Sequence, residues 1–114
     1  MSERTDNDYL AHIKEAVKRT ALYTEKMTYE EFLGDIKTQD AVIRNIEIIG
    51  EAARRLPEEI RNKYLEVEWH KIISLRNILI HEYPGIDLET IWDIIENKLA
   101  SFEKQIKRIL QGEL

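Results

Sequence analysis

The chain alternates amphipathic stretches at helical spacing with short polar breaks. Leu10, Ile13, Val17 and Ala21 recur every three or four residues and predict a first helix with one apolar face. Asp6 or Asp8 is placed to cap its start, and its end is expected near Met27. Thr28-Tyr29-Glu30-Glu31 has capping-box spacing, with Thr28 holding the Glu31 amide while the Glu31 carboxylate reaches back. That predicts a short helix stopping around Gly34. Val42, Ile46, Ile49, Ala53 and Leu56 line the core face of a helix from Thr38 or Asp40 to Leu56. Gly50 lies beside this stripe at a cost on the order of 1 kcal/mol against alanine, which points to close approach of a neighbouring helix. Pro57 suits the first position of a short helix reaching about Tyr64. A fourth main helix is expected from near Trp69 to about His81, stopped by Pro84-Gly85. Asp87 then caps a last helix, in which Leu88, Ile91, Trp92, Ile95, Leu99, Phe102, Ile106 and Ile109 sustain a 3-4 repeat. The sum is an all-α, up-and-down bundle of four main helices with one or two short ones.

Composition narrows this reading. A length of 114 residues suits one domain spanning 1–114, and 4 Gly with 2 Pro leave few turn residues for a β architecture. The absence of cysteine excludes a disulfide scaffold, a thiol nucleophile and a cysteine zinc site. The polar start lacks an apolar signal-peptide core, and no apolar run approaches a membrane span, so a cytoplasmic protein without membrane contact is expected. A net charge of −5 argues against nucleic-acid binding through bulk charge, so an RNA-handling role needs a local basic site. DNA is not an expected partner: Arg44, Arg54 and Arg55 have Glu47 and Glu51 at ion-pair spacing on the same helix. His12, His70 and His81 lack metal-ligand spacing, and there is no phosphate-binding glycine loop. Neither a metal nor a cofactor of the chain's own is expected.

The candidate chemistry lies on the fourth main helix. At 100° per residue, His70, Ser74, Asn77 and His81 fall within a sector about 60° wide, bordered by isoleucines. A solvated face is ordinarily broad and charged, so this narrow row is unusual. His81 is in the last turn, where the helix dipole favours an imidazolium, and Asn77 is one turn earlier, placed to orient it. Such a histidine serves either as general acid or base, or simply as a cap on the last carbonyls. Arg76 faces the opposite way, among Trp69, Ile72, Ile80 and Tyr83, and needs a partner there. Glu47, Glu51 or a group from a second subunit can supply it. A clamp of that kind without any chemistry is the competing reading. Tyr83 has three open uses: contact with a phosphate, stacking on a base, or packing on the bundle.

Arg76, His81 and Tyr83 together match the R-x4-H-x-Y motif, and the chain resembles the HEPN superfamily, more narrowly its HepT-like toxins. The flanks agree in order: Arg44 to Ala52, Trp69 to Asn77, and Tyr83 to Trp92. The resemblance implies a HEPN-like bundle, a homodimer with the two motif segments facing across a cleft, and a metal-independent endoribonuclease acting on transfer or messenger RNA. It further implies the toxin role in a toxin–antitoxin pair. The partner would be an MntA-like minimal nucleotidyltransferase that uses ATP to AMPylate the motif tyrosine, here Tyr83. On this reading Arg76 neutralises charge at the scissile phosphate, His81 moves protons, and Asn77 and Tyr83 support them. Arg76 and His81 stand about 140° apart on an ideal helix, so a dimer cleft or a distorted last turn must bring them to one phosphate. Two other classes are kept: a catalytically inactive HEPN-type binding module, and a purely structural helical bundle.

Overall fold

A computed structural model describes residues 5–81 and 87–112, with the side chains of 76–81 outside the described set. Seven helical segments and no strand occur among the described residues: α1 Asp6–Thr24, α2 Tyr29–Leu33, α3 Ile36–Arg55, α4 Glu58–Lys63, α5 Trp69–His81, α6 Leu88–Asn97 and α7 Leu99–Leu110. The helix α3 is central, packed against α1 on one side and α5 on another, while α7 closes against α1.

Helix starts are set by side-chain oxygens. At α1 the cap is Thr5 rather than Asp6 or Asp8, and Asp8 completes the box by accepting the Thr5 amide at 2.9 Å. The Thr28/Glu31 box before α2 forms as the pattern predicts, with bonds of 2.8 and 3.1 Å. The α3 helix begins earlier than the sequence suggests, because Asp35 accepts the Thr38 amide at 3.0 Å and the Thr38 hydroxyl at 2.8 Å. Pro57 is the N-cap of α4 rather than its first helical residue.

The buried stripe of α1 differs from the expected one. Leu10, Ile13 and Val17 are buried, but Ala21 is exposed and the helix ends at Thr24 instead of near Met27. Thr20 and Thr24 take the inner positions, each donating its hydroxyl to the carbonyl one turn back at 2.9 Å. With its hydroxyl satisfied inside the helix, a threonine can be buried at little cost. On α3 the expected stripe of Val42, Ile46, Ile49, Ala53 and Leu56 is wholly buried, and so is Gly50.

The last helix of the sequence reading is two helices, α6 and α7, broken at Lys98 (φ −119°, ψ −33°). The reason is in the packing. Leu88, Ile91, Trp92 and Ile95 join one apolar cluster with Phe32, Val42 and Ile46. Leu99, Phe102, Ile106 and Ile109 join a different one with Leu10, Ile13, Ala53 and Trp69. A straight helix keeps its stripe on one line, so serving two clusters requires a change of direction. No described helix is long and apolar enough to cross a membrane.

Candidate functional site

Arg76, Asn77 and His81 lie on α5, whose start is held firmly. Trp69 is 4% exposed, and its indole Nε1 donates to the Tyr64 carbonyl at 3.0 Å. The Ile72 amide donates to the Glu68 carbonyl at 3.1 Å, which closes the first turn. Trp69, Ile72 and Ile73 pack into the larger apolar cluster, and Leu75 packs against the smaller one. From that base the helix runs on through His81. The backbone of Arg76, Asn77 and His81 therefore belongs to one continuous helix, rooted in the core at its first residue. The side chains of these three, and all of Tyr83, lie outside the described residues. The earlier members of the polar row are visible: His70 and Ser74 are both exposed.

The two carboxylates offered to Arg76 sit on α3, the helix that packs against α5. Both are half-buried. Glu51 accepts from Arg54 at 2.9 Å and from Arg55 at 2.7 Å. The hydrogen bond and charge of Glu51, followed by those of Tyr9, raise the Arg55 guanidinium above its ordinary value. The salt-bridged surface expected for Arg54 and Arg55 is therefore present. Glu47 and Glu51 also line a cavity of about 330 Å³ between α1 and α3, with Tyr9, His12 and Arg44. A larger cavity, about 490 Å³, lies between α3, α5 and the α6–α7 bend. Its walls include Ile72 and Leu75, on the turn of α5 just before Arg76.

Acidic residues are distributed unevenly over the helices. The chain has 22 Asp and Glu residues, and every other described helix carries at least one. The 13 residues of α5 carry none, while holding His70, Lys71, Arg76 and His81. The nearest preceding carboxylate, Glu68, is engaged by Lys71 at 2.9 Å, which holds it below the usual carboxylate range. In an acidic protein, the helix bearing the motif is a local basic element.

The sequence profile described as "Ribonuclease HepT-like" matches residues 13–109. The chain belongs to the HepT-like ribonuclease family. Relatives named as ribonucleases align over almost the entire chain. It is 45% identical over 111 residues to a Methanocaldococcus jannaschii protein named "Putative RNase MJ0127", covering 97% of this chain and 92% of the relative. It is 38% identical over 110 residues to a Caldanaerobacter subterraneus subsp. tengcongensis protein named "Putative RNase TTE0752", covering 96% and 98%. A Thermococcus cleftensis protein named "Probable ribonuclease HepT" is 35% identical over 107 residues, covering 94% and 97%. No solved structure matches the chain.

Proposed function

We propose that this chain is a metal-independent endoribonuclease, the toxin of a toxin–antitoxin pair, cutting RNA through Arg76 and His81. The supporting observation is the R-x4-H-x-Y motif, with Arg76 and His81 on the carboxylate-free helix α5, in a HepT-like chain. RNA brings its own nucleophile, so the protein needs to position a phosphate, move protons and offset charge. The 2′-hydroxyl oxygen attacks the adjacent phosphorus, and the bond from phosphorus to the 5′-oxygen breaks. His81 takes the 2′-hydroxyl proton or delivers one to the leaving 5′-oxygen, the other role falling to its dimer mate or to water. Arg76 presents its planar fork of donors to the non-bridging oxygens as charge builds there. Asn77 orients the His81 ring, and Tyr83 contacts the RNA beside the cut. The product is a 2′,3′-cyclic phosphate.

A homodimer with the two α5 ends facing across a cleft brings Arg76 of one subunit and His81 of the other to one phosphate. Unbroken helix through His81 favours this over a distorted last turn. Neutralisation follows from the tyrosine. A partner nucleotidyltransferase directs the Tyr83 oxygen onto the α-phosphorus of ATP, pyrophosphate leaves, and AMP places bulk and negative charge in the cleft. The chain works in the cytoplasm and has no cofactor of its own.

The test is RNA digestion in EDTA by wild type and His81→Ala. Activity in the wild type alone is expected. Equal activity of the two, or complete loss of wild-type activity in EDTA, removes the mechanism. The net charge of −5 favours one competitor, a binding module that cuts nothing. That competitor predicts a silent wild type and no toxicity on expression. Intact mass after incubation with ATP and the partner enzyme tests the modification. Absence of added AMP, or AMP mapped away from Tyr83, excludes it.

A further inference from the structure

We infer that the RNA-binding surface extends down α5 beyond the motif, with His70 and Ser74 forming a track for the strand flanking the cut. This rests on the ribonuclease reading above. Both side chains are exposed, and neither makes a hydrogen bond or ion pair among the described residues. They stand in register with Asn77 and His81 on one face of a continuous helix. From His70 to His81 the row rises about 16 Å, enough to follow a strand past the scissile phosphate. Its members alternate an imidazole, a hydroxyl, an amide and an imidazole, and donors of this kind are what phosphate and ribose oxygens take up.

Electrostatics favours this helix. Lys71, beside the row, is tied to Glu68 at 2.9 Å, and α5 contributes no carboxylate to repel a phosphate. In a chain of net charge −5, His70 and Ser74 are exposed donors on a helix that carries no acid. Exposed side chains with no partner among the described residues make little contribution to stability, so replacing them is expected to be read in binding and not in melting.

The experiment uses a fluorescein-labelled, mixed-sequence single-stranded oligoribonucleotide with the full chain. It compares wild type, His70→Ala/Ser74→Ala and His70→Glu at low salt. Anisotropy reads binding, gel analysis reads cleavage, and sedimentation reads oligomeric mass. The double variant is expected to bind roughly five- to tenfold more weakly, with KM raised and kcat nearly held, as lost hydrogen bonds outside the reacting centre require. The His70→Glu chain is expected to bind more weakly still. All three should share one melting temperature and one mass. If wild type cuts RNA and the variants bind and cut equally well, the track is wrong and the ribonuclease reading stands. If wild type cuts nothing but binding still depends on His70 and Ser74, the track stands and the catalytic reading falls. Wild type that neither binds nor cuts overturns both. A change of mass in the variants would make the row a subunit contact and overturn the track.

Discussion

Trp69 ties the start of the motif helix to the core, and replacing it by phenylalanine isolates that tie. The substitution keeps a buried aromatic ring but deletes the indole N–H that bonds the Tyr64 carbonyl at 3.0 Å. That carbonyl keeps a second donor, the Val67 amide at 3.2 Å, so it is not orphaned. The lost bond is worth about 1 kcal/mol net. The smaller ring leaves a partial void in a site only 4% exposed, worth about another 1 kcal/mol. The expected destabilisation is about 2 kcal/mol, or a fall of about 8 °C in Tm for a chain of this length. Urea unfolding followed by far-ultraviolet circular dichroism measures it, with the fluorescence of Trp92 as a second probe. A matched control is Leu65→Ala, whose side chain is 76% exposed and should change stability by no more than about 0.5 kcal/mol. A Trp69→Phe effect as small as that of the control would refute the reasoning, because the indole would then not anchor α5.

Three further outcomes are expected. Phe32 is 0% exposed, with its ring 5.2 Å from that of Trp92, so Phe32→Ala should cost about 3–5 kcal/mol in denaturant unfolding and release α2 from α6. The carboxyl of Asp87 is held below its usual value by the Thr90 hydroxyl and then the Thr90 amide, and that of Asp35 by the Thr38 amide and then its hydroxyl. Depressed folded values mean the unfolded chain binds more protons in acid. The contribution is thus complete above the unfolded carboxylate value, about 3.9, and lost as pH falls through the folded value. Asp35→Asn/Asp87→Asn keeps both caps and should flatten the acid limb of a Tm-against-pH curve, and an unchanged limb would contradict the assignment. Gly34 ends α2 at φ −94°, and a Cβ there would lie 3.7 Å from the nearest atom, an ordinary contact. Gly34→Ala should therefore be neutral or stabilise by up to about 1 kcal/mol, while a loss larger than that would mean the glycine is required.

Where a local signal and the tertiary packing agree, the sequence reads correctly. The Thr28/Glu31 box, the Asp87 cap, the α3 stripe and the Trp69–His81 helix all have short-range causes, and all are present. Thr5/Asp8 is the same device with a shorter acid, so the pattern points to Asp6 or Asp8 where Thr5 is the cap of α1. The Ala21 misassignment has another origin: apolar periodicity gives no credit to threonines that satisfy their own hydroxyls, as Thr20 and Thr24 do. The bend at Lys98 carries neither glycine nor proline. Its cause is the division of one apolar stripe between two clusters, which only the assembled fold reveals. At the site, the motif and its helix were legible in the one-dimensional pattern. The freedom of α5 from carboxylates was equally present in the sequence. It became meaningful once the helix limits were fixed and the rest of the surface was known to be acidic.

The central claim is that RNA is cut by its own 2′-hydroxyl under the direction of Arg76 and His81, and the ends of the products report on it most directly. RNA treated with the purified chain in EDTA is probed for its new termini by kinase labelling without phosphatase and by mass spectrometry. The account predicts 5′-hydroxyl and 2′,3′-cyclic phosphate ends from wild type, and no new ends from His81→Ala or Arg76→Ala. New 5′-phosphate and 3′-hydroxyl ends, or cyclic ends made equally well by His81→Ala, would contradict it.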